Sequence, residues 1–243
     1  EDGLFYVEVI VEPAYQGQGL GRYLYDDAVT AVHILGGKRL KGDVRDDRPE
    51  WLRFAQHRGF TIRRHWFESA IELSGFDERP FAGLIESVKA AGIRFFSLAD
   101  VGDTEEARRK LHAVNAAVSA DTPGFEGPFM PFEAFNEMFN TASWFRPEGQ
   151  ILAADGDEYI GLAAVSYFAE TNSMHNEITG VLPAYRGRKI AQALKLLTIR
   201  YSKTFGANTI RTDNDSENAP MLAINRKLGY KPLPGKYLLH KQL

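Results

Sequence analysis

The chain has 243 residues, of which 44% are hydrophobic and 25% are charged, and its formal net charge is −3 at pH 7. These values are ordinary for a soluble globular protein and give no bulk attraction to nucleic acid or to an anionic membrane. The absence of cysteine excludes disulfides, thiolate metal sites and cysteine nucleophiles, and no apolar run approaches the roughly 20 residues of a membrane span, so we expect a cytoplasmic protein.

The first part of the chain alternates between strand and helix patterns. Alternating residues predict a strand over 4–12, which Pro13 ends because proline cannot donate to a ladder. An apolar stripe at helical spacing predicts a helix over 20–35, which the pair Gly36-Gly37 ends. The pattern then predicts a strand over 39–44, a helix that opens with an Asp47-x-x-Glu50 cap and ends at Gly59, and one long strand or a hairpin over 61–73.

The second part of the chain is richer in strands. Residues 74–92 carry glycine, proline and one short amphipathic run, and we interpret them as an interdomain connection. The pattern then predicts a strand over 93–98, a helix over 104–119 capped by Thr104, an ordered loop over 121–131, a short helix over 132–139, a hairpin of 150–155 and 158–168, a strand over 173–182, a helix over 190–205, a strand over 209–213, a helix that Asn218 caps and Gly229 ends, and a last strand over 237–243.

One stretch of the sequence occurs twice. Residues 11–21 read VEPAYQGQGLG and residues 181–191 read VLPAYRGRKIA, so each position recurs 170 residues later. The register persists without a gap as far as Gly59-Phe60, which recurs as Gly229-Tyr230. A fixed register that holds at turn glycines and at apolar helix positions together predicts two copies of one fold.

Both copies place a strand, a tight polar turn and a helix start in succession. The first N–H groups of a helix lack intrahelical partners and lie at the positive end of the helix dipole. In the second copy, Arg186, Arg188 and Lys189 add positive charge to the turn. The turn is therefore suited to a phosphate or a diphosphate, and a purely structural turn is the alternative. A dinucleotide pattern fails at Arg22, and no P-loop Gly-Lys-Ser/Thr occurs.

A strand followed by Gln/Arg-x-x-Gly-x-Gly/Ala, a helix, a strand and a helix that ends in Gly-Phe/Tyr resembles the Gcn5-related N-acetyltransferase (GNAT) family. Gln16-Gly17-Gln18-Gly19-Leu20-Gly21 fits this motif fully, and Arg186-Gly187-Arg188-Lys189-Ile190-Ala191 fits except that Lys189 replaces a glycine. The resemblance implies an α/β fold with a mixed sheet, two GNAT folds in tandem and acetyl-CoA as the cofactor.

The resemblance also implies a division of the chain. We expect residues 1–75 to be the C-terminal part of a first GNAT domain, residues 76–92 a linker and residues 93–243 a complete second GNAT domain. By the repeat offset, counterparts of residues 93–170 would precede residue 1, so we expect the N-terminal half of the first copy to be missing from this chain. An evolved half-domain is the alternative, but it would leave an unpaired strand edge.

In the family, the loop amides hold the diphosphate of acetyl-CoA and the preceding strand pairs with its pantetheine arm. The resemblance therefore implies cofactor-binding residues in both copies: Val11, Gln16, Gly17, Gln18, Gly19, Leu20 and Gly21 in the first, and Val181, Leu182, Arg186, Gly187, Arg188, Lys189, Ile190, Ala191 and Asn218 in the second. Lys189 either crowds the phosphates or sets its ammonium beside them. Asn218 is equally suited to cap a helix.

Acetyl transfer to an amine needs a base for the ammonium proton, donors for the oxyanion and a proton for the departing thiolate. Glu177 lies nine residues before Arg186, where the family often has its base, and the first copy has Val7 there. We therefore expect the second copy to be catalytic, with backbone N–H groups around Val181 and Leu182 as oxyanion donors. A solvated strand carboxylate is the alternative role for Glu177.

The family's usual acid is a tyrosine, but the sequence has Asn225 at that position and Ala55 in the first copy. Asn225 is expected to hydrogen-bond the pantetheine or the thioester, and Tyr237 is a candidate substitute acid. His175 precedes Glu177 by two residues on the same strand face and is a candidate for the acceptor pocket. None of the six histidines stands at a metal-ligand spacing, so no metal site is predicted.

The sequence thus predicts an acetyl-CoA-dependent N-acetyltransferase that acts on a small amine, with no nucleic-acid or membrane partner. Two alternatives stay open. In one, the first copy is catalytic because its loop is intact; in the other, the chain is a non-catalytic CoA-binding or scaffolding module.

Overall fold

The computed structural model describes residues 3–243. Its strands are β1 (Leu4–Tyr6), β2 (Arg39–Arg45), β3 (Thr61–Glu72), β4 (Ile93–Ser97), β5 (Gln150–Asp155), β6 (Glu158–Phe168), β7 (Ser173–Val181), β8 (Thr209–Asp215) and β9 (Lys231–Gln242). Its α-helices are α1 (Leu20–Ile34), α2 (Pro49–Gln56), α3 (Leu84–Ala90), α4 (Glu105–Ala120), α5 (Phe132–Thr141), α6 (Ile190–Phe205) and α7 (Ala219–Lys227). None of the helices of residues 3–243 combines the length and the apolar character that crossing a bilayer requires.

The chain divides into two compact units. The first unit comprises the residues up to Phe67 together with Pro234–Leu243, and the second comprises Glu68–Leu233. In the first unit the strand order is β1-β2-β9-β3, with β1 and β2 parallel and β2 and β9 antiparallel. Helices α1 and α2 close one small core with these strands, in which Leu40, Phe60 and Leu239 are buried.

In the second unit the strand order is β3-β8-β7-β6-β5-β4. Strands β4 to β7 pair antiparallel in chain order, whereas β7 and β8 are parallel. Helix α6 packs in one apolar cluster with these strands, and α4 and α5 pack in a second cluster that is rich in phenylalanine. The near-continuous burial of β5 and β6 is that of strands covered on both faces.

The element pattern of residues 13–72 recurs 170 residues later. The short turn Pro13–Tyr15 recurs as Pro183–Tyr185, and α1 recurs as α6. Strand β2 recurs as β8 with the same length, and β3 recurs as β9 with the same length. The register that the sequence repeat defines is therefore also a register of secondary structure.

Four local predictions differ from the structure. The last strand, predicted over 237–243, is β9 and begins at Lys231. The predicted strand over 4–12 is a regular strand only over Leu4–Tyr6, because β1 is the outer strand of its unit and, within residues 3–243, it pairs with β2 alone over three positions. The Asp47 carboxylate pairs with Arg45 instead of capping α2, which has no side-chain cap. The segment expected to be a linker contains α3, whose Ile85 and Val88 are buried in the core of the second unit.

Candidate active site

Strands β7 and β8 of the second unit run together and then separate. Their parallel register joins Ser173–His175 to Thr209–Arg211, and among the described residues it does not continue further. Just beyond this register, a side-chain hydrogen bond joins the two strands: Thr212 Oγ1 donates to the carbonyl of Asn176 at 3.1 Å. Beyond this point the edge of β7 that faces away from β6 has no strand partner, which leaves backbone groups for an extended ligand.

A β-bulge lies where the two strands separate. On β6, Ala164 pairs with Ile178 and Val165 pairs with Asn176, so Glu177 is the extra residue. The Asn176 side chain holds the bulge, since its Nδ2 donates to the carbonyls of Ala164 at 2.9 Å and of Ile178 at 3.0 Å. The bulge therefore points the Glu177 side chain out of the regular alternation of the strand.

The bulge changes the expected neighbours of Glu177. Simple alternation would put Thr179 on its face, but the Thr179 hydroxyl donates to Asn176 Oδ1 at 3.0 Å. His175 does accompany Glu177, with 3.3 Å between Nδ1 and Oε1. Asp213 and Glu68 approach the other ring nitrogen of His175 at 3.6 and 3.9 Å. One imidazole thus stands among three carboxylates.

The charges of this cluster stabilise one another. Burial lowers the pKa of His175, but the hydrogen bond to Glu177 and the three nearby carboxylates outweigh it, and the net pKa is raised. Burial raises the pKa of Glu177, but the hydrogen bonds and charge of His175 and a hydrogen bond from Ser166 outweigh it, and the net pKa is lowered. Glu177 is therefore an ionised carboxylate near neutral pH, able to accept a proton.

The predicted phosphate loop lies between the end of β7 and the start of α6. Gly187 and Lys189 both have left-handed backbone conformations, with φ of 78° and 63°. The corresponding Gly19 has φ of 86°, so Lys189 adopts the conformation that the motif assigns to glycine. No side chain caps the N-terminus of α6, which begins directly after Lys189. Its first N–H groups are therefore available to an anion.

The loop residues fit a diphosphate group. Residues 186–189 are exposed, and a side chain built on Gly187 would meet nothing within 4 Å, so a ligand has room above the turn. Arg188 and Lys189 bring two cationic side chains to it. Arg186 has a structural role: its Nε donates to the Val181 carbonyl at 3.1 Å, and its Nη2 lies 2.5 Å from the Asp121 carboxylate.

One of the two N–H groups expected to be oxyanion donors, at the end of β7, is engaged within the sheet. The N–H of Leu182 donates to the carbonyl of Ile160 at 2.8 Å, so it is already engaged. Successive N–H groups of an extended strand point to opposite edges, and the N–H of Val181 therefore points to the edge from which β8 has separated. Val181, rather than Leu182, is positioned to donate to a ligand.

The remaining predicted site residues lie in different places. Asn218 caps α7, with its side chain accepting from the Met221 N–H at 3.3 Å. Asn225 is buried at 2% exposure and donates to Asn214 Oδ1 at 2.8 Å, while its own Oδ1 has no partner. Tyr237 belongs to the first unit, where its ring packs 4.7 Å from that of His65. Its role as a substitute acid stays a prediction.

The first unit repeats the loop geometry and adds a cavity. Gln16 Nε2 donates to the Val11 carbonyl at 2.9 Å, as Arg186 does to Val181 in the other unit. A cavity of about 680 Å³ opens beside this loop. Its walls come from the residues after β1, the loop, α1, β2 and α2, and include Val11, Gln16, Gly17, Gly19 and Gly21.

Two features of the second unit escaped sequence reasoning. The bulge at Glu177 has no local signature, although Asn176 offers the side-chain amide that holds it. Lys195 lies within the apolar face of α6 and is only 1% exposed. The repeat offset carried the signal for Lys195, because its counterpart Tyr25 stands at a buried position of α1, the helix that corresponds to α6.

Comparison with known proteins bears on this geometry. Residues 118–230 match the family model described as Acetyltransferase (GNAT) family. The match covers 113 of the 243 residues, just under half of the chain. The matched segment contains β5 to β8, the loop, α6 and α7, and it is the part of the chain where the strands separate and Glu177 lies.

Relatives extend the similarity over most of the chain. The mycothiol acetyltransferase of Streptomyces avermitilis is 26% identical over 223 residues, covering 92% of this chain and 67% of its own length. That of Nocardioides sp. is 27% identical over 241 residues, covering 92% of this chain and 76% of its own length. The chain therefore spans about two thirds to three quarters of these relatives.

Solved structures share the fold. A GCN5-related N-acetyltransferase from Sphaerobacter thermophilus superposes with a TM-score of 0.68 at 20% identity, covering 96% of this chain and 70% of the other. A tandem GNAT protein from the clavulanic acid biosynthesis pathway gives a TM-score of 0.59 at 18% identity, covering 96% and 73%. The predicted mixed α/β fold of GNAT proteins is confirmed by these structures.

Proposed function

We propose that the chain acetylates a small amine with acetyl-CoA and that the second unit carries the reaction. The observation that carries this proposal is Glu177, the bulge residue at the point where β7 and β8 separate. It is an ionised carboxylate beside an unpaired strand edge, and the phosphate loop follows on the same strand. In the first unit the same position is Val7, which cannot accept a proton.

In this proposal, different residues of the second unit bind the cofactor, stabilise the developing charge and accept the proton. The loop 186–191 and the uncapped start of α6 hold the diphosphate, with Arg188 and Lys189 as cations. The free edge of β7 pairs with the pantetheine arm, and the Val181 N–H stabilises the oxygen on which charge develops. Glu177 takes a proton from the acceptor's ammonium, directly or through one water. Acetyl-CoA, when bound, supplies the activated acetyl group.

The acidic surroundings of His175 favour an acceptor that arrives as a cation. Glu68, Glu177 and Asp213 converge on this one imidazole, and Glu177 and Asp213 are exposed. A protonated amine is attracted to such a group before it is deprotonated. The mycothiol acetyltransferases named above are reason to include a mycothiol-related amine among the acceptors tested.

We further propose that the first unit is the C-terminal part of the first GNAT copy and that it binds a CoA group without catalysing a reaction. Its loop has the family's full glycine pattern, and the cavity of about 680 Å³ beside it is large enough for a substantial part of a cofactor. Its walls contain Val7 and Val9 where the second unit has Glu177 and Thr179. The division into residues 1–75, 76–92 and 93–243 belongs to this proposal.

The experiment is release of free thiol from acetyl-CoA in the presence of an amine panel. Glu177→Gln keeps the size of the side chain and removes the proton acceptor, so we expect turnover to fall about 10²-fold or more with little change in acetyl-CoA affinity. Glu68→Gln is the matched control, because it removes a carboxylate from the same imidazole and leaves the base. Unchanged turnover in Glu177→Gln would show that Glu177 is not the catalytic base and would contradict the assignment of the reaction to the second unit on this ground.

The same assay separates the alternatives. Calorimetric binding of acetyl-CoA without thiol release on any amine would favour a non-catalytic binding module. Thiol release that survives Glu177→Gln but disappears when the first loop is changed by Gly19→Asp would favour the first unit as the catalytic one.

A further inference from the structure

Lys195 is a lysine in the apolar interior of the second unit. Its ammonium lies 4.8 Å from the ring centre of Tyr230, the titratable side chain that it contacts. Burial alone accounts for the lowering of its pKa, to about 7, and no charged side chain of the described residues contributes. Two nearby members of the unit are also unusual, since the Tyr230 hydroxyl and Asn225 Oδ1 are buried polar atoms without a hydrogen-bond partner.

Unpartnered buried polar atoms are costly, and native proteins keep few of them. A lysine that is buried without a carboxylate costs still more, unless it gives up its proton. The sheet and helices of this unit would be better stabilised by apolar residues at these positions. Groups of this kind are typical of functional sites.

The internal repeat indicates which space these residues surround. By the offset of 170 residues, the counterparts of Lys195, Asn225 and Tyr230 in the first unit are Tyr25, Ala55 and Phe60. All three counterparts line the cavity beside the first loop. The counterpart of Asn214, which holds Asn225, is Val44, and it lines the cavity as well.

The contact itself is conserved between the units. Tyr25 and Phe60 meet edge to face at 6.2 Å between ring centres, as Lys195 meets Tyr230. Lys195, Asn225 and Tyr230 therefore occupy positions that border the cofactor cleft in this fold. At these three positions the first unit has two aromatic rings and an alanine, whereas the second has an amine, an amide and a phenol.

We propose that Lys195 gives the leaving thiolate of acetyl-CoA its proton in the second unit, with Asn225 and Tyr230 as positioning residues. This rests on the proposed function. As the C–S bond breaks, its electron pair stays on sulfur and a proton moves from Lys195 Nζ to that sulfur. The ammonium loses two protons on its way to the amide: Glu177 holds the first, and solvent takes the second as the C–N bond is formed and the amide nitrogen becomes neutral. After the products leave, Glu177 releases its proton to water and Lys195 regains one from water, so the net result is an amide, a thiol and one proton in solution.

The other residues of the wall cannot do this. Asn225 stands where the family's acid is a tyrosine, and an amide does not release a proton near neutral pH. Burial raises the pKa of Tyr230 far above neutrality, so its hydroxyl is a poor acid. Lys195 is partly protonated at neutral pH, which suits a group that must both hold and release a proton.

The test follows the Lys195 proton directly. The protein is labelled with lysine carrying ¹³C at Cε, and the Lys195 signal is assigned by its loss in Lys195→Met. Its pKa is then measured by NMR titration for the free protein, with CoA, and with desulfo-CoA, which lacks the sulfur. We expect the pKa of Lys195 to differ by about one unit between the CoA complex and the desulfo-CoA complex, because only CoA places a sulfur beside the ammonium.

Activity gives a second readout. Lys195→Met removes the proton, and Lys195→Arg keeps the charge but does not release a proton near neutral pH. Both are expected to lower kcat about 10²-fold and to change its dependence on pH, while acetyl-CoA binding by calorimetry is retained. Leu196→Met is the control for an altered side chain in the same buried turn of α6, and it is expected to keep the wild-type pH profile.

The outcomes separate this proposal from the function on which it rests. If CoA binds and amines are acetylated while the pKa of Lys195 is the same with CoA and desulfo-CoA, the role of Lys195 is wrong and the proposed function stands. Wild-type kcat in Lys195→Met at every pH would be equally decisive against it. If CoA does not bind at all, the proposed function fails first and this role fails with it.

Discussion

At the scale of residues, Glu177 and His175 form a pair whose protonation is tied to folding. The raised pKa of His175 contributes stability that is present below the imidazole's ordinary pKa of about 6.5 and is lost as the pH rises through the folded value. The lowered pKa of Glu177 contributes stability that is present above its ordinary value of about 4.5 and is lost as the pH falls through the folded value. We therefore expect the difference in unfolding free energy between wild type and His175→Gln to be largest near pH 5–6. Denaturant titrations at several pH values measure it, and a difference that grows above pH 8 would contradict the pairing.

For Lys195 we expect the opposite dependence of stability on pH from that of His175. Its folded pKa of about 7 lies below the ordinary 10.5, so the unfolded chain binds an additional proton between these values. The stability of the wild type relative to Lys195→Met should therefore rise by about 1.4 kcal/mol per pH unit from pH 7 toward pH 10. At pH 7 and below, Lys195→Met should be the more stable protein. Equal pH dependence of the two proteins in chemical denaturation would show that Lys195 is not buried as described.

At the scale of elements, the start of α6 carries backbone strain. Lys189 has φ of 63°, a conformation that costs a residue with a Cβ on the order of 1 kcal/mol and costs glycine little. Lys189→Gly should therefore raise the unfolding free energy by about this amount, and it should weaken acetyl-CoA binding because a cation is lost. Gly19→Lys in the first unit is the mirror experiment and should lower stability by a similar amount. A Lys189→Gly protein that is less stable than wild type would argue against the left-handed conformation.

The bulge of β7 depends on one side chain. Asn176 is 2% exposed and satisfies the carbonyls of Ala164 and Ile178 as well as the Thr179 hydroxyl. Asn176→Ala leaves these groups buried without partners and should cost about 2 kcal/mol or more. Thr179→Val removes one of these bonds and should cost about 1 kcal/mol. If Asn176→Ala were no more destabilising than Thr179→Val by thermal unfolding, the bulge would have another support.

The elements also show how far sequence reasoning reaches. Helix α6, the caps Thr104 and Asn218 and the paired residues His175 and Glu177 followed from periodicity, capping chemistry and the repeat. The length of β1 could not be predicted in this way, because the extent of a strand depends on which strands pair with it, and the local sequence pattern does not identify them. The bulge did not follow either, since simple alternation counts residues without knowing where one is left unpaired. The burial of Lys195 was not predicted, because a charged residue next to an apolar helix face is usually assigned to the exposed edge of that face.

At the scale of the molecule, one repeat register supports two different sites. The same βα junction occurs in both units with the same left-handed positions, at Gly17 and Gly19 and at Gly187 and Lys189. In the first unit, Val7 and Val9 line the cavity at the positions of Glu177 and Thr179 in the second unit.

The measurement that tests the account most directly is calorimetric titration of acetyl-CoA into the wild type and a charge-reversed variant of the second loop. Arg188→Glu with Lys189→Glu changes two exposed side chains at the start of α6, so the fold should be retained. Lys89→Glu with Lys203→Glu, also exposed in the second unit, gives the same change in net charge away from the loop. We predict that the loop variant loses acetyl-CoA binding by the second unit and thiol release with every amine, and that the control keeps both. Wild-type affinity and turnover in the loop variant would contradict the account.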